Sequence, residues 1–426
     1  MKLITNTALA LIMAAAATPV AAQYGSMGSS GPPPQQMPDL PRQQSKEEAA
    51  PQQQNKIQPS KKALKALVEL QDAVNKNDAA NIPAKVAAAK AVAETKEDRY
   101  LLAQMQLKAA LAAKDNAAMA AAVDAIAASG YNDAATNSKL YEGLGSTYFN
   151  NKQYAEAATA FQKAASADSR NWHAAALVGE SLFAQGQKEQ AINAFQHAVQ
   201  ASVAAGAKPE ENMYKRAVAL AYDAQSPVAL DLAREWVAAY PAQSSWNDAT
   251  AIYRNYNLGD AEATLDVLRL KRALGYLTPG EYSNLARAAA DQLIFGEAHT
   301  VVDEAIAAKK IDPAAPEQRD LIAGLKTKAR PTAADLAGAM KIAANAKALM
   351  RIGDNYAAMG DYSSAVQAYK LAMAKPDGDA ALANLHIGMA LARSGDKAGA
   401  TAALNAVTGP RAEIAKFWLT YLAQKA

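Results

Sequence analysis

Four histidines, His173, His197, His299 and His386, are the first residues to weigh in a search for chemistry. A zinc site on one helix needs a second histidine four residues on, with carboxylates near by, and none of the four has that pattern. Ser394-x2-Lys397 has the spacing of an acylating serine and its lysine. No Ser-Asp-Asn or Lys-Thr-Gly accompanies it, and Gly395-Asp396-Lys397 reads as a tight turn between helices. Asp377-Gly378-Asp379 opens like a calcium loop, yet Gly388 stands where the loop needs a bidentate glutamate. The chain contains no cysteine, which excludes disulfides, thiolate metal sites and a cysteine nucleophile. No catalytic residue, metal ligand or cofactor site is expected, and the chain is not expected to be an enzyme.

What the chain does carry is a recurring arrangement of small and large apolar residues. Leu144-Gly145-x2-Tyr148, Ala157, Phe161 and Ala164 return 34 residues later as Val178-Gly179-x2-Leu182, Ala191, Phe195 and Ala198. The pattern reappears as Leu349, Ile352-Gly353-x2-Tyr356, Ala365, Tyr369 and Ala372. After 35 residues it comes again as Ile387-Gly388-x2-Leu391, Ala400, Leu404 and Val407. These offsets suit a helix, a tight turn and a second helix, with glycine and alanine where the two helices pass closest. Alanine dominates the composition, aromatics are 6%, and period-two runs are hard to find, so an all-α chain is expected.

The spacing resembles that of the tetratricopeptide repeat (TPR). Tyr141, Leu144, Gly145, Tyr148, Ala157 and Phe161 stand in order at six signature positions, and Ser169 replaces the terminal proline. The resemblance implies an α-solenoid of stacked antiparallel helix hairpins, with recognition in a concave groove lined by first helices. Carried over position by position, the groove holds Lys139, Glu142, Ser146, Phe149 and Asn150 in one repeat, then His173, Glu180 and Phe183 in the next. In the carboxy-terminal pair it holds Lys347, Met350, Arg351 and Asp354, then Met389. Phe149 and Phe183 occupy the same repeat position, so two rings should stand one above the other, facing the groove. Relatives that clamp a C-terminal carboxylate need lysine and asparagine at positions held here by Glu142/Ala176 and Ser146/Glu180, so that ligand type is not expected. The implied partner is a protein or peptide, with an envelope glycan (peptidoglycan or an exported polysaccharide) as the alternative.

The ends of the chain say where this happens. Met1-Lys2 is followed by the apolar run Ala8 to Ala17, broken by Thr18-Pro19 and closed by Val20-Ala21-Ala22. This is the pattern of a secretory signal peptide cleaved after Ala22, and the run falls short of the ~20 residues that cross a bilayer. A periplasmic protein is expected, with secretion to the exterior as the alternative and no membrane span in the mature chain. Net charge is +3, from 44 basic and 41 acidic residues spread along the chain, which gives nucleic acid no clustered basic face.

Residues 23–60, rich in Gln, Pro, Ser and Gly, are expected to be disordered. Residues 61–136 read as degenerate helical hairpins or an amino-terminal cap, and 137–313 as one array. That array has clear repeats at 138–171 and 172–205 and weaker ones over 210–313. Residues 314–345 break the phase and read as a helical joint near Pro331. A second clear pair follows at 346–408, and 410–426 reads as a helix capping the last open face.

Overall fold

A computed structural model describes residues 57–425. Among the described residues there are 21 α-helices, one 3-10 turn and no strand. They form two compact units that divide between Ala224 and Gln225. The signal peptide expected at 1–22 and most of the 23–60 segment expected to be disordered lie outside the described residues. Residues 57–60 are ordered, against expectation. Ile57 packs on the helical core, and Ser60 caps the first helix while its N–H donates to Asp98 Oδ1 at 2.8 Å.

The first unit contains α1 (Lys61–Asn75), α2 (Ile82–Val92), α3 (Lys96–Ala113), α4 (Asn116–Ala128), α5 (Ala134–Asn150), α6 (Tyr154–Ala167), α7 (Trp172–Ala184), α8 (Lys188–Ala204) and α9 (Glu211–Asp223). Helices pair as hairpins in chain order, α1 with α2, α3 with α4, α5 with α6 and α7 with α8, and α9 lies on α8. Their starts are set by side-chain caps: Thr95 and Asp98 form a capping box on α3, and Asp115, Asp133 and Asn171 cap α4, α5 and α7. The repeat glycines are needed for the close approach expected of them. A Cβ on Gly145 would lie 2.6 Å from the Phe161 ring, and one on Gly179 2.7 Å from Phe195. Ala157 and Ala191, the small residues of the second helices, are fully buried.

The second unit contains α10 (Val228–Ala239), α11 (Gln243–Tyr256), α12 (Ala261–Leu274), α13 (Pro279–Asp291), α14 (Phe295–Ala307), α15 (Pro316–Lys326), α16 (Ala333–Ile342), α17 (Ala346–Ala358), α18 (Tyr362–Met373), α19 (Ala380–Ser394), α20 (Lys397–Asn405) and α21 (Ala412–Gln424). The clear repeats at α17–α18 and α19–α20 use the same device, with Gly353 against Tyr369 and Gly388 against Leu404.

Three features of this half differ from expectation. The boundary between units falls inside the stretch read as one array, 137–313: α9 packs on α8, whereas α10 packs on α11 and α21. The 314–345 segment is internal to the second unit. There α15 lies on α13 and α14, α16 lies on α17, and α14 packs directly on α17. Within this unit the segment thus folds the hairpins α17–α20 back against α12 and α14. Finally, α21 does more than cap the last hairpin. Besides α19 and α20 it touches α10 and α12 at the other end of the unit. Phe417 and Trp418 are fully buried, and Phe417 lies 6.1 Å from Trp246 of α11. Gln424 accepts from Trp246 Nε1 at 3.2 Å and donates to the Val237 carbonyl at 2.7 Å. A helix with apolar residues at 414, 417, 418, 421 and 422 buries that stripe wherever a matching surface exists, and here folding supplied one on two sides.

Candidate functional site

On the first unit, α5, α7 and α9 bring their first-helix residues into two polar couples. Asn171, at the start of α7, accepts from Ala174 N at 3.0 Å, and its amide donates to Ser138 Oγ at 2.9 Å and Glu142 Oε2 at 2.8 Å. The other Glu142 oxygen meets His173 Nδ1 at 3.1 Å. This bond raises the His173 pKa above its ordinary 6.5 against the opposing effect of burial. Burial would raise Glu142, but bonds to His173 and Asn171 outweigh it and hold the carboxyl low. Further along the face, Arg216 of α9 donates Nε and Nη2 to the two oxygens of Glu180 at 2.8 and 3.0 Å. Its guanidinium also covers the Phe183 ring, 4.8 Å from the centroid.

The expected residues therefore separate. Lys139, Asn150 and His173 are exposed, and Glu142, Glu180, Phe149 and Phe183 are half-buried. Ser146 is 2% exposed and so unavailable to a ligand. Phe149 and Phe183 do not stand as two bare rings: Phe149 packs edge-on against Tyr154 at 5.2 Å, and Phe183 lies under Arg216. On the second unit Lys347 is exposed and Arg351 half-buried, but Met350, Asp354 and Met389 are buried. The surface that would have been their groove is covered by the other stack of the same unit.

What covers it is a buried charged cluster that includes Asp354 of the expected set and joins it to residues outside that set. Asp354 of α17 accepts from Tyr369 Oη at 2.7 Å and meets His386 Nδ1 of α19 at 2.8 Å. The other His386 nitrogen meets Asp266 of α12 at 3.2 Å. Arg269, one turn along α12, pairs with Asp354 at 3.1 Å and with Glu297 of α14 at 2.5 Å. Five helices thus converge on groups that are all buried. Burial alone would lower His386, but the Asp354 carboxylate and hydrogen bonds to Asp266 and Asp354 lift its pKa to about 10. Burial opposes ionisation of Asp354 too, yet Arg269 and His386 hold it well below the usual carboxylate range. His386 has no carboxylate at ligand spacing in sequence, yet folding places two on it. The Asp266-x2-Arg269 pair, set among Leu265, Val267, Leu268 and Leu270 on α12, was the one local signal. The cavity beside the cluster, about 30 Å³ and lined in part by Trp418, has room for about one water. No group of three or more His, Cys, Asp or Glu among the described residues could hold a metal ion.

A tetratricopeptide repeat profile matches residues 138–171 and 346–374, one stretch in each unit. Among solved structures the chain is similar to the crystal structure of the P58(IPK) TPR domain, at 10% identity and a TM-score of 0.24, covering 85% of this chain and 97% of that one. It is also similar to Naa15/Naa10 bound to HypK-THB, at 12% identity and a TM-score of 0.23, covering 83% of this chain and 64% of that one. No curated protein matches it in sequence. Over the described residues the chain is all-α and built of helix hairpins, with a stretch in each unit that matches the tetratricopeptide repeat.

Proposed function

We propose that this chain is an exported, non-catalytic scaffold that binds a protein or peptide partner on the first-helix face of its first unit, in assembly or maintenance of the cell envelope. One observation carries the assignment: the two units treat their first-helix faces differently. In the second, α17 and α19 are covered by the cluster on α12 and α14 and by α21, so their polar residues are consumed internally. In the first, no other helix of that unit packs across α5, α7 and α9 in that way, and Lys139, His173 and the Arg216–Phe183 couple remain accessible at their edges. Paired charges held by caps and ring contacts are already positioned, which lowers the ordering cost of binding. Export rests on the first 22 residues, and no described helix is long and apolar enough to cross a membrane.

A photo-crosslinking residue at Lys139 should capture a partner from envelope extracts that the same group at exposed Lys188 does not. Phe183→Ala with His173→Ala should remove that product while the melting temperature holds. Equal labelling from both positions would overturn the assignment.

A further inference from the structure

A separate cavity of the first unit lies where α6, α7 and α8 meet, with a volume of about 460 Å³. Trp172, half-buried on the first turn of α7, forms one wall, and Val178 contributes to an otherwise alanine-rich apolar lining. Gln162 and Ser166 of α6, Ser169 of the following turn and His197 of α8 line the rest. All four are exposed, and none of their side chains has a hydrogen-bond partner among the described residues. The lining includes no Asp, Glu, Lys or Arg.

This combination selects a ligand class. The indole offers a flat apolar face, while an amide, two hydroxyls and an imidazole offer donors and acceptors together. A charged ligand would find no counter-charge here, and a purely aliphatic one would bury polar groups without partners. A pyranose ring has apolar C–H faces for the indole and hydroxyls that both donate and accept around its rim. The volume falls within the ~300–1,000 Å³ of small-molecule sites. We propose that this pocket is a binding subsite for a neutral saccharide of one or two pyranose rings. It does not depend on the face of α5, α7 and α9, since the one residue shared with it, Asn171, has its amide committed to Ser138 and Glu142.

The chain has four tryptophans, and Trp236, Trp246 and Trp418 are each at most 1% exposed. Ligand-induced changes in tryptophan emission therefore report on Trp172. Titrating the mature chain with N,N′-diacetylchitobiose and with cellobiose, to roughly millimolar concentrations, should give a saturable change with at least one. Gln162→Ala and His197→Ala should each weaken it roughly two- to tenfold, the worth of one hydrogen bond, with melting unchanged. Phe183→Ala should leave it intact. Calorimetry on Trp172→Phe, a shape-conserving variant, should show weakened binding. Co-sedimentation with purified sacculi that is lost in Gln162→Ala would identify a glycan polymer as the source, and binding of the soluble disaccharide alone a free sugar. No saturable change with either disaccharide would overturn the proposal. So would binding undiminished in Gln162→Ala and His197→Ala, or tighter binding of a polyglutamate peptide.

Discussion

His386 shows how far a residue's chemistry depends on what reaches it from elsewhere in the chain. Its partners lie 32 and 120 residues away, and together they reverse the effect of burial on its charge. The consequence for stability has a definite sign. A histidine raised to about 10 from ~6.5 in the unfolded chain contributes stability that is complete below the unfolded value and lost as pH rises through the folded one. Asp354, held low, contributes stability present above the ordinary carboxylate value and lost as pH falls through its folded value. Denaturant unfolding of the second unit should therefore weaken from about pH 7 toward pH 10, and again in acid below about pH 4. His386→Gln should cost ~3–5 kcal/mol, because it removes one of the two cations that face buried Asp266 and Asp354, and it should flatten the alkaline limb. An alkaline limb unchanged in that variant would show that the titration belongs to another group.

At the level of elements, α21 changes meaning between sequence and structure. Its amphipathic stripe was legible, and an end-of-stack cap was a sound expectation from neighbouring contacts alone. Its partners on α10, α11 and α12 could not be read from spacing, because they depend on the second stack folding back through α15 and α16. A terminal cap would be dispensable to the far end of the unit, whereas a helix bridging both ends would not. Deleting residues 410–426 should abolish the cooperative calorimetric transition of the second unit and leave that of the first. Trp418→Ala, which empties a fully buried indole site, should cost ~3–5 kcal/mol. A deletion that only trims the stability of the last hairpin would restore the simple cap. The same fold-back explains why Met350, Asp354 and Met389 are buried although the repeat register places them on the open face.

For the whole molecule, the two units differ in which first-helix face is filled from within. The second unit satisfies its own face with Arg269, Glu297, His386 and α21, while in the first no other helix of that unit packs across α5, α7 and α9. Export would decide which partners the chain can meet. Intact mass of the protein recovered from a Gram-negative host expressing the full chain should correspond to a start at Gln23, in the periplasmic fraction. A full-length cytoplasmic product would exclude the envelope role and leave the helix hairpins untouched.

Sequence by itself determined the hairpins, the glycine and alanine positions that let their helices approach, and the capping residues that start them. All of these are contacts between residues fewer than about 35 positions apart, and a fixed period encodes such contacts directly. Tertiary structure alone decided that the chain divides at Ala224 and Gln225, that α21 joins two ends of one unit, and that His386 lies between two carboxylates. Those contacts span up to 187 residues, and no local period records them. They form only when two stacks meet, and what then selects them is the cost of leaving a buried charge or an aromatic stripe without a partner.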